Sequence, residues 1–184
     1  MIKIENHVNY NPIFTHHHPI WRKKIQLHEQ IKACLLKATN DLHTSLANYY
    51  GKWLVLYFYP KDHTPGCTIE SKAFAAAYRD FQALNCEVLG ISRDSLASHE
   101  KFKAKHLLPF ALISDQEAIL CQEFAVIKTR SIFGKKINGL ERSTFILDPK
   151  ANVKYEWRNV KVAGHVQKVL NTLAKLQTKA CIEQ

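Results

Sequence analysis

The chain has 184 residues, 46% of them hydrophobic, and 26 basic against 16 acidic side chains give a formal net charge of +10. That length and apolar share suit one globular domain with a buried core. The longest apolar run, residues 53–59, is far short of the roughly 20 residues a membrane-spanning helix needs, which excludes an anchor there. The opening MIKIENHVNYNPIF has neither an apolar h-region nor a small-residue cleavage site, so a cytoplasmic protein is expected. Basic residues are scattered, as at Arg22-Lys23-Lys24, Lys101 to Lys105 and Lys135-Lys136, rather than gathered beside stacking aromatics. Specific nucleic-acid binding is therefore not implied, and attraction to anionic partners is incidental.

Residues 1–32 mix Asn, His and Pro without helical or strand period and are expected as an irregular arm. Residues 33–178 are expected as one α/β domain and 179–184 as a tail. Within the domain, WLVLYFY (53–59) reads as a central strand, because a continuous β-branched and aromatic run suits a strand covered on both faces. Apolar positions Ile69, Ala73, Ala76, Ala77, Phe81 and Leu84 then recur at helical spacing, predicting a helix from Cys67 to Leu84. CEVLGIS (86–92) is a second strand, and residues 95–107 a second helix capped by Asp94 or Ser95. FALI (110–113) is a short strand, and Ser114-Asp115-Gln116-Glu117 matches a capping box opening a helix to about Phe124. RSTFIL and VKYEWR, joined by Asp148-Pro149-Lys150-Ala151-Asn152, predict a hairpin. Val166, Val169, Leu170, Leu173 and Leu176 form the apolar stripe of a last helix.

The five cysteines, Cys34, Cys67, Cys86, Cys121 and Cys181, are odd in number, irregularly spaced and contain no C-x-x-C. A disulfide scaffold, a thioredoxin-type dithiol and a zinc ribbon are all disfavoured. One cysteine stands apart. Cys67 follows Pro65-Gly66 at the passage from loop to helix, in a first turn whose backbone N–H groups lack partners. Those donors and the positive end of the helix dipole favour a thiolate, which makes Cys67 the candidate nucleophile.

Pro60-x-x-x-Thr64-x-x-Cys67 resembles the peroxiredoxin active-site pattern, and FYPKDHTPGCT is similar to its bacterioferritin comigratory protein, or peroxiredoxin Q, branch. VLGIS (88–92), LISD (112–115) and RSTFILD (142–148) fall in the order of that branch, so the likeness runs over about residues 33–177. The resemblance implies a thioredoxin-like α/β fold, a central mixed sheet flanked by helices, and a thiol peroxidase acting on hydrogen peroxide and organic hydroperoxides. It assigns Cys67 as nucleophile, Thr64 as a hydroxyl partner of thiolate and peroxide, Pro60 as a shield from water, and Arg142 as the guanidinium that holds the thiolate. Backbone N–H groups of Gly66 and Cys67 complete the anion-stabilising environment. Taken singly, each has a plainer reading: Pro60 ends a strand, Thr64 precedes a helix, Arg142 is a solvated charge, and Cys67 is a small core residue. Their joint spacing favours the site.

The branch's usual resolving positions fall at Lys72 and Lys103, so a one-cysteine mechanism is expected, with thioredoxin, glutaredoxin or a low-molecular-weight thiol reducing the Cys67 sulfenic acid. Cys121 and Cys181 remain candidate resolving residues; Cys86 and Cys34 carry no mark of reactivity. No metal or organic cofactor is implied, and His16-His17-His18 reads as an incidental surface tract. His63, beside the active cysteine, tunes local charge at most. No membrane partner is expected, and the branch suggests a monomer or weak dimer. A non-enzymatic thiol sensor or chaperone-like protein on the same fold, and a thioredoxin-like electron carrier, are the competing readings.

Overall fold

The computed structural model describes residues 25–40, 42–132 and 135–182. Seven strands form one mixed sheet: β1 (Leu36–Ala38), β2 (Leu42–Thr44), β3 (Trp53–Phe58), β4 (Cys86–Ser92), β5 (Leu112–Ser114), β8 (Ser143–Leu147) and β9 (Val153–Trp157), in the order β2-β1-β5-β4-β3-β8-β9. β3, β4 and β5 are parallel neighbours, while β8 runs antiparallel to β3 and β9 to β8. Parallel strands need crossover helices, and these come from α2 (Pro65–Ala76) with α3 (Tyr78–Ala83), then α4 (Leu96–His106). A short α1 (Glu29–Lys32) precedes the sheet, α5 (Ile119–Glu123) follows β5, and α6 (His165–Ile182) closes the chain. Two further strands, β6 (Ile127–Ile132) and β7 (Lys135–Leu140), pair with each other as a separate sheet among the described residues.

All six residues of β3 are buried, as a strand covered on both faces demands. Its alternation divides the core. Trp53, Val55 and Tyr57 face α2, α3, α4 and α6 through Phe74, Phe81, Phe102, Val169 and Leu173. Leu54, Leu56 and Phe58 face the other layer, with Leu120, Cys121, Phe124 and Phe145. Cys67 belongs to the first layer. Tyr57 anchors the helix that carries it: its hydroxyl lies 3.1 Å from Ser71 Oγ, and its ring stacks on Phe74 with centroids 4.6 Å apart. This is possible because Gly90 lies beneath; a Cβ there would fall 2.6 Å from the Tyr57 hydroxyl.

The predicted strands at 53–59 and 86–92, the helix at 95–107 and the 148–152 hairpin all form. Ser95 is the cap of α4, its Oγ accepting from the Ser98 amide. Three local expectations are corrected, and one hairpin went unread. The helix expected over 67–84 starts at Pro65 and breaks at Ala77, without glycine or proline to mark the break. The strand expected over 110–113 is Leu112–Ser114. The capping-box helix does not start at Ser114: α5 begins at Ile119 after left-handed Ala118, and Asp115 accepts from the Leu120 and Cys121 amides instead. The 127–140 hairpin had no distinct signal, because its β6 run IKTRSI is too polar to stand out.

The outer boundaries also shift. Within the stretch expected as an arm, Leu27 is buried in the core beside Leu46 and Leu36. α6 continues to Ile182, into the stretch expected as a tail. The His16–His18 tract lies outside the described residues. Among the described residues no helix is long and apolar enough to cross a membrane.

Candidate active site

The parallel strand β3 delivers the chain to the site. Tyr59 still bonds to the β4 edge, its amide donating to the Ile91 carbonyl at 3.0 Å, and exposed Pro60 then ends the pairing. The turn that follows is held from below. Asp62 accepts from the Tyr59 hydroxyl at 2.8 Å and from Ser98 Oγ at 2.7 Å, and pairs with His99 Nδ1 at 2.8 Å. His99 Nε2 donates to the Ile113 carbonyl at 3.1 Å, and the Asp62 amide donates to Asp94 at 2.8 Å. Burial alone pushes the Asp62 carboxyl up, but the bonds from His99, Ser98 and Tyr59 outweigh it and hold the group below the usual carboxylate range. The loop before α2 is thereby fastened to α4 and β5.

Thr64 is the N-cap of α2, extended as a residue before proline must be, and Pro65 occupies the first helical position. The Thr68 amide returns to the Thr64 carbonyl at 2.9 Å, and no side chain caps the turn. Pro65 has no N–H, so the amides of Gly66 and Cys67 are the first-turn donors without an intrahelical acceptor. Cys67 is buried, at 1% exposure, in that first turn.

The second half of the site comes from β8. The pairing Phe58↔Ser143 sets Arg142 next to the end of β3. Its Nη2 donates to Cys67 Sγ at 3.2 Å, and its Nη1 donates to Glu70 Oε2. The guanidinium lies close over the first turn, 3.4 Å from where a Cβ on Gly66 would stand. Sequence reading placed Cys67, Gly66 and Arg142 together, and they are together. It missed Glu70, one helical turn beyond Cys67 on the same face, and the signal was the Cys67-x-x-Glu70 spacing. Glu70 is fully buried and its Oε1 has no partner. Burial pushes its carboxyl up to about 7, against the opposing pull of the Arg142 guanidinium.

Thr64 departs from expectation. Its hydroxyl donates to the Lys61 carbonyl at 3.0 Å, so its proton is committed there and its lone pairs are what it can offer an incoming hydroxyl group. Lys72 is exposed on α2, and Lys103 Nζ donates to the Phe110 carbonyl at 2.6 Å, bracing the end of α4.

Of the other cysteines, Cys121 is fully buried in the layer on the opposite face of the sheet from Cys67, and burial pushes its thiol up. The sheet itself separates it from the site, which removes the geometry a resolving partner needs. Cys34 packs against that same far layer. Cys86 shares the Cys67 layer but heads β4 at the opposite end of the strand pair, opposite Trp53, with its thiol pushed up by burial. Cys181 lies in the last turn of α6, and its side chain is outside those described. Among the described residues no group of three His, Cys, Asp or Glu is arranged to hold a metal ion.

A strand-to-helix cysteine under a strand-borne arginine, on a mixed sheet with helices over its face, defines a thiol-based peroxidase of thioredoxin-like fold. The chain belongs to the AhpC/TSA family, whose profile matches residues 27–156. It is 47% identical over 138 residues to the peroxiredoxin Bcp of Xanthomonas campestris, covering 75% of this chain and 86% of that one. It is 45% identical over 144 residues to the Bacillus subtilis peroxiredoxin Bcp, covering 78% and 92%. Among solved structures, X. campestris peroxiredoxin Q superposes with a TM-score of 0.80 at 44% identity, over 82% of this chain and 96% of that one. A second X. campestris structure, described for the alkyl peroxide reduction activity of its bacterioferritin comigratory protein, matches at 0.80 and 43% identity, with the same coverage. The peroxiredoxin resemblance read from FYPKDHTPGCT thus holds, as does the mixed-sheet thioredoxin-like fold.

Proposed function

We propose that Cys67 is the peroxide-reducing thiol, acting on hydrogen peroxide and organic hydroperoxides. The observation that carries this reading is the 3.2 Å contact from Arg142 Nη2 to Cys67 Sγ at the open first turn of α2. The Cys67 thiolate attacks one peroxide oxygen; an S–O bond forms, the O–O bond breaks, and the departing alkoxide or hydroxide takes a proton. Negative charge grows on that oxygen. Arg142 and the amides of Gly66 and Cys67 are positioned to receive it. Thr64, its own proton tied to Lys61, accepts the hydrogen bond of the peroxide hydroxyl, and Pro60 flanks the entrance.

Turnover runs through an external thiol, with thioredoxin, glutaredoxin and small thiols as the candidate reductants. Lys72 and Lys103 stand where this branch keeps a resolving cysteine, Cys121 is across the sheet, and Cys67 has no thiol neighbour among its described contacts. The chemistry needs neither metal nor organic cofactor, since sulfur carries the electrons. A monomer or weak dimer in a reducing, cytoplasmic setting completes the reading, in keeping with the free thiols of Cys34, Cys67, Cys86 and Cys121.

Mass spectrometry after one equivalent of hydrogen peroxide, with a sulfenic-acid trap present, tests it. Trap on Cys67 and none on Cys67→Ser is the expected result, followed by multiple turnovers once thiol is added. A single oxidation without turnover would instead favour a redox sensor on this fold. No rapid modification of Cys67 would end the peroxidase reading.

A further inference from the structure

Beside the loop that leads into α2, basic groups from three elements converge. His63, in left-handed backbone with φ of 58°, sets its ring edge-on to Phe102 at 5.2 Å, and Phe102 meets His106 at 4.9 Å. The buried Phe102 ring is thus sandwiched by two histidines at the surface, one from the catalytic loop and one from the end of α4. Lys105 adjoins His106 on α4, and Lys72 lies on α2. The proton affinity of His106 is lowered first by burial and then by Lys105, Lys72 and His63. Lys72 and Lys105 are exposed, and among the described residues no carboxylate pairs with any of the four. An unpaired basic cluster attracts and orients anions, and in this one His63 and Lys72 sit on the loop and helix that carry Cys67.

The size of its partner follows from the sulfur. Cys67 is 1% exposed, and the elements around it are tied down: the loop by Asp62 and His99, α4 by Lys103 on the Phe110 carbonyl. A slim molecule reaches such a sulfur with less rearrangement than a cysteine carried on a protein surface.

Resting on the peroxidase reading above, the geometry points to His63, Lys72, Lys105 and His106 as a docking site for the carboxylates of a small acidic thiol, the reductant of oxidised Cys67. The thiolate of that molecule attacks the sulfenic sulfur; an S–S bond forms, the S–O bond breaks, and hydroxide leaves and is protonated to water. A second thiol then attacks the mixed disulfide at the small-molecule sulfur, releasing the Cys67 thiolate and a disulfide. Two thiols are oxidised for each peroxide reduced, so electrons balance.

Glutathione, which carries two carboxylates, is the probe, with neutral 2-mercaptoethanol and cationic cysteamine as comparators. The oxidation of Cys67 by hydrogen peroxide is measured first, and its failure would count against the peroxidase reading alone. With sulfenic acid formed, the double variant Lys72→Glu/Lys105→Glu is expected to lose roughly tenfold in the glutathione rate relative to 2-mercaptoethanol, while cysteamine gains. High salt is expected to erode the same preference in the native protein. Lys52→Glu/Lys150→Glu, at the far end of β3, changes net charge equally and should leave the ratio between thiols alone. Equal losses for all three thiols, or the same ratio change in both double variants, would overturn the proposal. So would a glutathione rate that is unaffected while oxidation by a carboxylate-bearing hydroperoxide slows, since the cluster would then serve the peroxide. Reduction by an acidic redoxin alone, with glutathione inert, would overturn it as well.

Discussion

Replacing Glu70 by glutamine isolates what a buried charge beside the reactive sulfur costs. Glu70 is fully buried, holds Arg142 through Oε2, and leaves Oε1 without a partner. Its carboxyl titrates at about 7 in the fold against an ordinary 4.5, so the folded chain binds this proton more tightly than the unfolded chain. An acid raised in this way contributes stability that is fully present below about pH 4.5 and is lost as pH rises through 7. At about 1.4 kcal/mol for each tenfold change in proton affinity, the loss amounts to about 3 kcal/mol. Glutamine keeps the shape and an acceptor for Arg142 but has no proton to lose. Urea unfolding of both proteins under reducing conditions at pH 5 and pH 8 therefore gives a clear expectation: relative to the native chain, Glu70→Gln gains about 2.5 kcal/mol on going from pH 5 to pH 8. The direction is opposite to a simple view of the Arg142–Glu70 pair as stabilising, because desolvation outweighs attraction at this site. Parallel pH profiles for the two proteins would refute the reasoning.

Arg142→Lys removes the fork that touches Cys67 Sγ and Glu70 together, and the rate of Cys67 oxidation by peroxide should fall on the order of 100-fold in competition kinetics. Gly90→Ala puts a methyl group 2.6 Å from the Tyr57 hydroxyl and 2.7 Å from Leu112 Cδ2, so denaturant midpoints should show a loss of about 1–3 kcal/mol. The same substitution should also disturb α2 through the Tyr57–Ser71 contact, visible as faster hydrogen exchange around Ser71. Cys121→Ala should leave thiol-supported peroxide turnover intact, since the sheet stands between Cys121 and Cys67; a stalled sulfenic acid in that variant would show that Cys121 resolves it.

The sequence by itself determined the parts of this protein that depend on neighbours along the chain. A strand with both faces apolar has to be central, which made 53–59 legible; Pro65-Gly66-Cys67 builds an open helix turn from local geometry; and Asp148 to Asn152 turns the chain through its own hydrogen bonds. Local pattern failed where the deciding partner was distant. The capping-box reading at Ser114 lost because Asp115 found the amides of Leu120 and Cys121 instead, and the break at Ala77 has no residue to announce it. Only the tertiary structure decided that the guanidinium on Cys67 is shared with Glu70, 72 residues away from Arg142 in the chain. It likewise put Cys121 out of reach, because β3 sends alternate side chains to opposite faces and the two thiols pack on different ones. Spacing along the chain names candidates around the reactive cysteine, but the strand register that sets Arg142 beside it and the burial that raises the Glu70 carboxyl come from packing between distant segments.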